Sequence, residues 1–131
     1  MKNVFTCPHC AAVLNPSVKI LLVIGYRKKK GMILLSPQPG NYKYICDDSV
    51  EKNLSHGAKV RFACPVCTED LTSPGNSQLA ELCMLVPGGE PRRVQFSRVY
   101  GKNATFVFDG EDVTAFGDDA ENLGSTNFFG A

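Results

Sequence analysis

Apolar residues along this chain come in short alternating or continuous runs, separated by turn residues, with almost nothing at a helical period. Residues 19–24 and 32–35 are apolar runs on either side of Gly25-Tyr26-Arg27-Lys28-Lys29-Lys30-Gly31, which predicts a hairpin with a basic tip. Ser36-Pro37-Gln38-Pro39-Gly40 breaks the chain, and residues 41–45 resume as a strand. Asp48-Ser49-Val50-Glu51 has the composition of a capped single helical turn. Residues 59–63 then alternate, with Val60 and Phe62 on one face, and run directly into Cys64.

The second half keeps the same rhythm. Residues 79–86 predict a strand with Ala80, Leu82, Met84 and Val86 on its more apolar face. A turn at Pro87-Gly88-Gly89-Glu90-Pro91 precedes residues 92–100, with Val94 and Phe96 on one side. Gly101-Lys102-Asn103 turns into a strand over 104–108, and Asp109-Gly110 leads to another over 113–116. The fold class is therefore mostly β: small antiparallel sheets and hairpins. We expect a first β half over residues 1–70, a second over 71–123 and a Gly/Ser/Asn-rich tail over 124–131 carrying Phe128 and Phe129.

A faint internal duplication appears at an offset of 57. Cys7-Pro8-x-Cys10-x-x-x-Leu14 lies over Cys64-Pro65-x-Cys67-x-x-x-Leu71. Near the end of each half a glycine turn leads into a short strand, Gly57-x-x-Val60-x-Phe62 and Gly110-x-x-Val113-x-x-Phe116. If the halves are pseudo-repeats, two similar sheets meet across one metal.

That metal is implied by the cysteines. A Cys-x-x-Cys turn aims both sulfurs at one point, and two such turns supply four thiolates for a tetrahedral ion. Cys7, Cys10, Cys64 and Cys67 are the expected ligands. His9 sits inside an already complete pair, so it is expected to face solvent or support a ligand. Cys46 and Cys83 lie in strand-like segments and are expected to be buried free thiols.

The two Cys-Pro-x-Cys turns resemble the zinc-ribbon group, in which paired turns at the ends of β-hairpins clasp one zinc. The resemblance covers the two tetrapeptides and the strand entering Cys64. It departs in spacing: residues 11–63 stand between the pairs, against an interval of about 15–20 in the usual pattern. A long insert adds little closure entropy, about 0.6 kcal/mol per doubling of length, so the ligand set survives it. Rubredoxin is similar too, which keeps iron as the lesser alternative; its turns usually carry Gly where this chain has Ala11 and Thr68. Cys-Pro-His-Cys also resembles a thioredoxin-like dithiol. That chemistry needs a long helix after the motif, and Asn15-Pro16 would stop one.

Composition adds context. With 131 residues and 44% hydrophobic content the chain can bury a core. It begins without a charged-then-apolar leader, and its longest apolar runs, 20–24 and 82–86, are far too short for a membrane span. A cytoplasmic protein is expected, where paired thiols favour metal over disulfide. The net charge of +1 hides a split: residues 1–67 carry ten Lys/Arg and three Asp/Glu, residues 68–131 four and ten. Arg27, Lys28, Lys29 and Lys30 beside Tyr26, and Lys43 between Tyr42 and Tyr44, have the basic–aromatic mix that meets nucleic acid. No phosphate-cradling loop, nucleophile elbow or His-Glu-x-x-His helix is present, and four thiolates leave a metal no open position. The expected function is thus a non-enzymatic zinc protein that binds another protein as an adaptor or regulatory module. A nucleic-acid-binding zinc ribbon using the tip at 27–30 and a thiol/zinc redox sensor are the alternatives.

Overall fold

A computed structural model describes residues 3–120 of the chain; the expected tail at 124–131 lies outside the described residues. The fold is mostly β, with 47% strand and 4% helix. In chain order the elements are β1 (Val4–Thr6), β2 (Ile20–Tyr26), β3 (Lys29–Leu35), β4 (Tyr44–Cys46), α1 (Asp48–Glu51), β5 (Arg61–Ala63), β6 (Thr72–Ser73), β7 (Asn76–Leu85), β8 (Arg92–Ser97), β9 (Thr105–Asp109) and β10 (Asp112–Phe116). No helix among the described residues is long and apolar enough to cross a membrane.

These strands form two antiparallel sheets. One has four strands in the order β4-β3-β2-β5; the other runs β1-β7-β8-β9-β10, with the short β6 also paired to β7. Period-two alternation sets what each sheet buries. Ile20, Leu22 and Ile24 of β2 and Ile33 of β3 turn inward from the first sheet, and Phe5, Ala80, Leu82, Met84, Val94 and Val107 from the second. All belong to one hydrophobic core, in which the rings of Phe62 (β5) and Phe96 (β8) meet at 5.3 Å. Full burial of each such side chain contributes about 1.5–3 kcal/mol. The other face of the larger sheet carries a smaller cluster of Leu79, Ala104, Phe106 and Ala120.

β1 and β5, the strands that lead into the two cysteine turns, join different sheets. β1 pairs with β7, setting Phe5 opposite Met84, while β5 pairs with β2, setting Phe62 opposite Ile24. The rows beyond correspond as well: Leu22 faces Ile33 and Ile33 faces Cys46, as Leu82 faces Val94 and Val94 faces Val107. The second pair of glycine turns does not share this correspondence. Phe62 enters a buried strand against β2, whereas Val113 lies on the exposed edge strand β10 against β9.

Several boundaries differ from the sequence expectation. The basic hairpin turns in two residues, because Tyr26 pairs with Lys29 and Gly25 with Lys30. Arg27 and Lys28 therefore form the tip, and Lys29 and Lys30 belong to β3. Glycine near a hairpin is compatible with strand where a neighbour needs the room, and a Cβ on Gly25 would stand 2.9 Å from the Arg61 guanidinium. The helical turn at 48–51 is capped by Asp47, whose side chain accepts from the Ser49 amide. The three ion pairs among the described residues, Arg92–Asp109, Arg93–Glu81 and Lys102–Asp119, all lie within residues 68–131, so they do not join the basic half to the acidic one.

Candidate metal centre

Each cysteine pair occupies the point where the chain changes sheet. The first lies after β1 and before β2, so the chain passes from the larger sheet to the smaller; the second lies after β5 and before β6, reversing the passage. The two turns are built alike. The Cys7 amide donates to Ala12 O at 3.0 Å and the Cys64 amide to Glu69 O at 3.1 Å. Ala11 N donates to Cys7 O and Thr68 N to Cys64 O, at 2.9 and 3.0 Å. Leu14 and Leu71, both 1% exposed, return beside Phe5 and Phe62 through amide bonds of 2.8 and 2.9 Å.

This shared backbone brings the sulfurs together. The Sγ atoms of Cys7, Cys10, Cys64 and Cys67 all lie within 4.8 Å of one another. Cys7 Sγ is 3.7 Å from Cys67 Sγ, and Cys10 Sγ is 3.7 Å from Cys64 Sγ. A disulfide would need about 2.05 Å, whereas four sulfurs held tetrahedrally at about 2.3 Å from one zinc stand about 3.8 Å apart. The donor set therefore fits a four-thiolate metal ion. Cys7 and Cys64 are buried and Cys10 is exposed, so the cluster opens to solvent on one side.

Backbone amides prepare these sulfurs for negative charge. His9 N donates to Cys7 Sγ at 3.3 Å, and Val66 N and Cys67 N donate to Cys64 Sγ at 3.3 and 3.4 Å. Burial pushes the Cys64 thiol up, but the Cys67 and Val66 amides together with the Cys10 and Cys67 thiols outweigh it and bring it to about 7. The Glu69 amide lowers the Cys67 thiol, yet burial and the other three cysteines hold it up at about 12. Burial likewise raises Cys7. Four thiolates this close repel one another, and a bound cation would remove that opposition.

His9 is exposed and its Nε2 lies 3.2 Å from Asp70 O, so it supports the cluster from outside. The glycine distinction between zinc and iron loses its force. Ala11 and Thr68 take φ of 64° and 65°, the left-handed conformation a glycine would supply. Cys46 and Cys83 are half-buried rather than buried, because both sit on strands beside open positions, and neither joins the cluster.

The other candidate residues lie apart from the sulfurs in role. Arg27, Lys28, Lys29 and Lys30 are all exposed, with the Arg27 guanidinium 5.2 Å above the Tyr26 ring. Arg61 adds a fifth cation, its Nη2 donating to Arg27 O at 3.0 Å. Lys30 and Arg61 also border a cavity of about 110 Å³ that reaches Cys64 and Thr68. Tyr42 and Tyr44 are each held at the hydroxyl: that of Tyr42 meets Thr105 Oγ1 at 3.0 Å and that of Tyr44 donates to Glu51 Oε2 at 2.5 Å.

Sequence reasoning missed Arg98. It is 8% exposed, with Nε donating to Val60 O at 2.8 Å and Nη1 to Ser77 O at 2.6 Å, so it ties the approach of β5 to β7. No local pattern marks it, since its partners are carbonyls far away in sequence.

The fold and site define a mostly β chain with a cysteine cluster able to hold one metal ion, compatible with a zinc-ribbon-like site. No protein-family model, curated protein or solved structure matches the chain.

Proposed function

We propose that this chain is a small cytoplasmic, non-catalytic adaptor or regulatory protein that binds another protein and whose sheets are locked by one structural zinc. The observation that carries the binding role is the outer face of the four-stranded sheet. Leu21 and Val23 of β2, Met32 and Leu34 of β3 and Ile45 of β4 alternate away from the core and stand in register, with Met32 and Ile45 42% and 59% exposed. An open apolar face of this kind marks an interaction surface. The cysteine cluster supports the structural role of the metal. Its four donors complete a tetrahedral shell, and they clasp the two passages between sheets, so metal affinity becomes folding free energy.

Two measurements test the reading. Elemental analysis should find one zinc per chain, lost with cooperative unfolding when either cysteine pair is changed to serine; one iron would assign the site to electron transfer instead. Met32→Glu with Ile45→Glu should abolish capture of a protein partner while zinc content and melting temperature stay unchanged. Unaltered capture would remove this face from the proposal.

A nucleic-acid reading is favoured by the exposed cations at Arg27–Lys30 with Arg61 beside them. Neutralising the tip should then weaken single-strand binding and flatten its salt dependence. A thiol/zinc sensor draws support from the exposed Cys10. It requires that mild peroxide expel the metal reversibly.

A further inference from the structure

A cavity of about 170 Å³ lies between the two sheets, lined by Cys46 but by none of the four clustered cysteines. Its walls run from exposed residues to the deepest part of the core: Lys43 and Lys102 stand at the surface, while Phe5 and Leu82 are 2% and 1% exposed. The inner wall is apolar, formed by residues such as Ile24, Phe62, Val94 and Phe96. Residues of segment 36–43 line one side, where the Tyr42 and Thr105 hydroxyls share a hydrogen bond of 3.0 Å. A cleft of this size with an apolar inner wall has room for a small apolar molecule.

The charge on the lining selects the ligand further. Lys43, Arg98 and Lys102 all contribute to it, and among the described residues no Asp or Glu does. Three carboxylates stand behind this wall: Asp70 acts on Arg98, Asp119 lies 3.9 Å from Lys102, and Glu51 accepts from Tyr44. Lys43 has no ion-pair partner among the described residues. The Tyr44 and Tyr100 hydroxyls, 3.4 Å apart, add hydrogen-bonding groups to the lining. We infer that this cavity binds a small monocarboxylate with an apolar body, a single aromatic ring or a short aliphatic chain, its carboxylate at the mouth beside Lys43. An apolar pocket with a few convergent polar groups is the usual form of such a site.

The test is a titration of the full-length, metal-loaded protein with sodium benzoate, followed by methyl NMR. Saturable shifts confined to methyls of the lining, Ile24, Leu82 and Val94 among them, are expected. Replacing benzoate by benzyl alcohol, or substituting Lys43→Met, should each weaken binding about fivefold, the scale of one solvent-exposed ion pair. Lys43 is exposed, so that variant should fold and keep its metal. Absence of shifts, or shifts spread over exposed Val13, Val66 and Val113, would overturn the site. Equal affinity for the alcohol would overturn the carboxylate. Binding only after Phe128→Ser with Phe129→Ser would assign the cavity to residues of 121–131 and overturn a small-molecule ligand.

Discussion

His9 Nε2 stands 3.2 Å from the carbonyl oxygen of Asp70, so the first cysteine turn is tied directly to the chain leaving the second. This contact lies outside the sulfurs, and metal sites are commonly steadied by such neighbours. His9→Ala should leave metal stoichiometry unchanged and lower stability by no more than about 1 kcal/mol. Metal transfer to a competing chelator should become faster. An unchanged transfer rate would show that the contact does not hold the two turns together.

Arg98 and Val60 bond reciprocally: Val60 N donates to Arg98 O at 2.9 Å and Arg98 Nε returns a bond to Val60 O at 2.8 Å. Arg98→Met keeps much of the buried stem but strips Val60 O and Ser77 O of their cationic donor. A loss of about 3 kcal/mol is expected from urea unfolding, because hydrogen bonds to charged groups are strong and buried carbonyls are costly to orphan. A loss within experimental error would show that water replaces the guanidinium.

Ala11 and Thr68 carry left-handed backbone at matching places in the two turns. An L-residue there costs about 1–2 kcal/mol relative to its ordinary conformations, and a β-branched one more than alanine. Ala11→Gly and Thr68→Gly should each stabilise the metal-loaded protein by about 1 kcal/mol, the second more than the first. Chemical denaturation checks the order; destabilisation by both would mean that the side chains contribute something beyond strain.

Asp70 supplies a pH dependence. Burial would raise its carboxyl, but the Thr72 hydroxyl and amide outweigh that and, with Arg98 and Arg61, hold it below the usual carboxylate range. A depressed folded value contributes stability above the unfolded value, near pH 4, which is lost as pH falls through the folded value. Asp70→Asn should therefore lower the urea midpoint at about pH 7 and shrink the difference between about pH 7 and about pH 3. An undiminished difference would place the acid sensitivity on other carboxylates.

Much of the secondary structure was legible because it rests on local patterns. Alternation marked Val60 and Phe62 before Cys64, and Leu82 and Met84 in β7; Asp48-Ser49-Val50-Glu51 marked the helical turn. The two-residue Thr72–Ser73 strand carries no hydrophobic period and was not visible. Nor was the two-residue turn of the basic hairpin, since Gly25 and Gly31 resemble breakers until the neighbouring Arg61 and Asp47 side chains are seen filling the space beside them.

By itself the sequence determined the mostly β class and the four cysteines able to share one ion, because strand alternation and the Cys-x-x-Cys turn are short-range properties. It also determined the exposed charge of the hairpin, as four consecutive cations can scarcely be buried unpaired. Only the tertiary structure decided that β1 joins β7 while β5 joins β2, that Arg98 bridges distant carbonyls, and that an apolar cavity lined with cations lies between the sheets. Those features depend on which strands meet across about twenty to eighty residues, and long-range pairing is set by the packing of the whole core rather than by any local period.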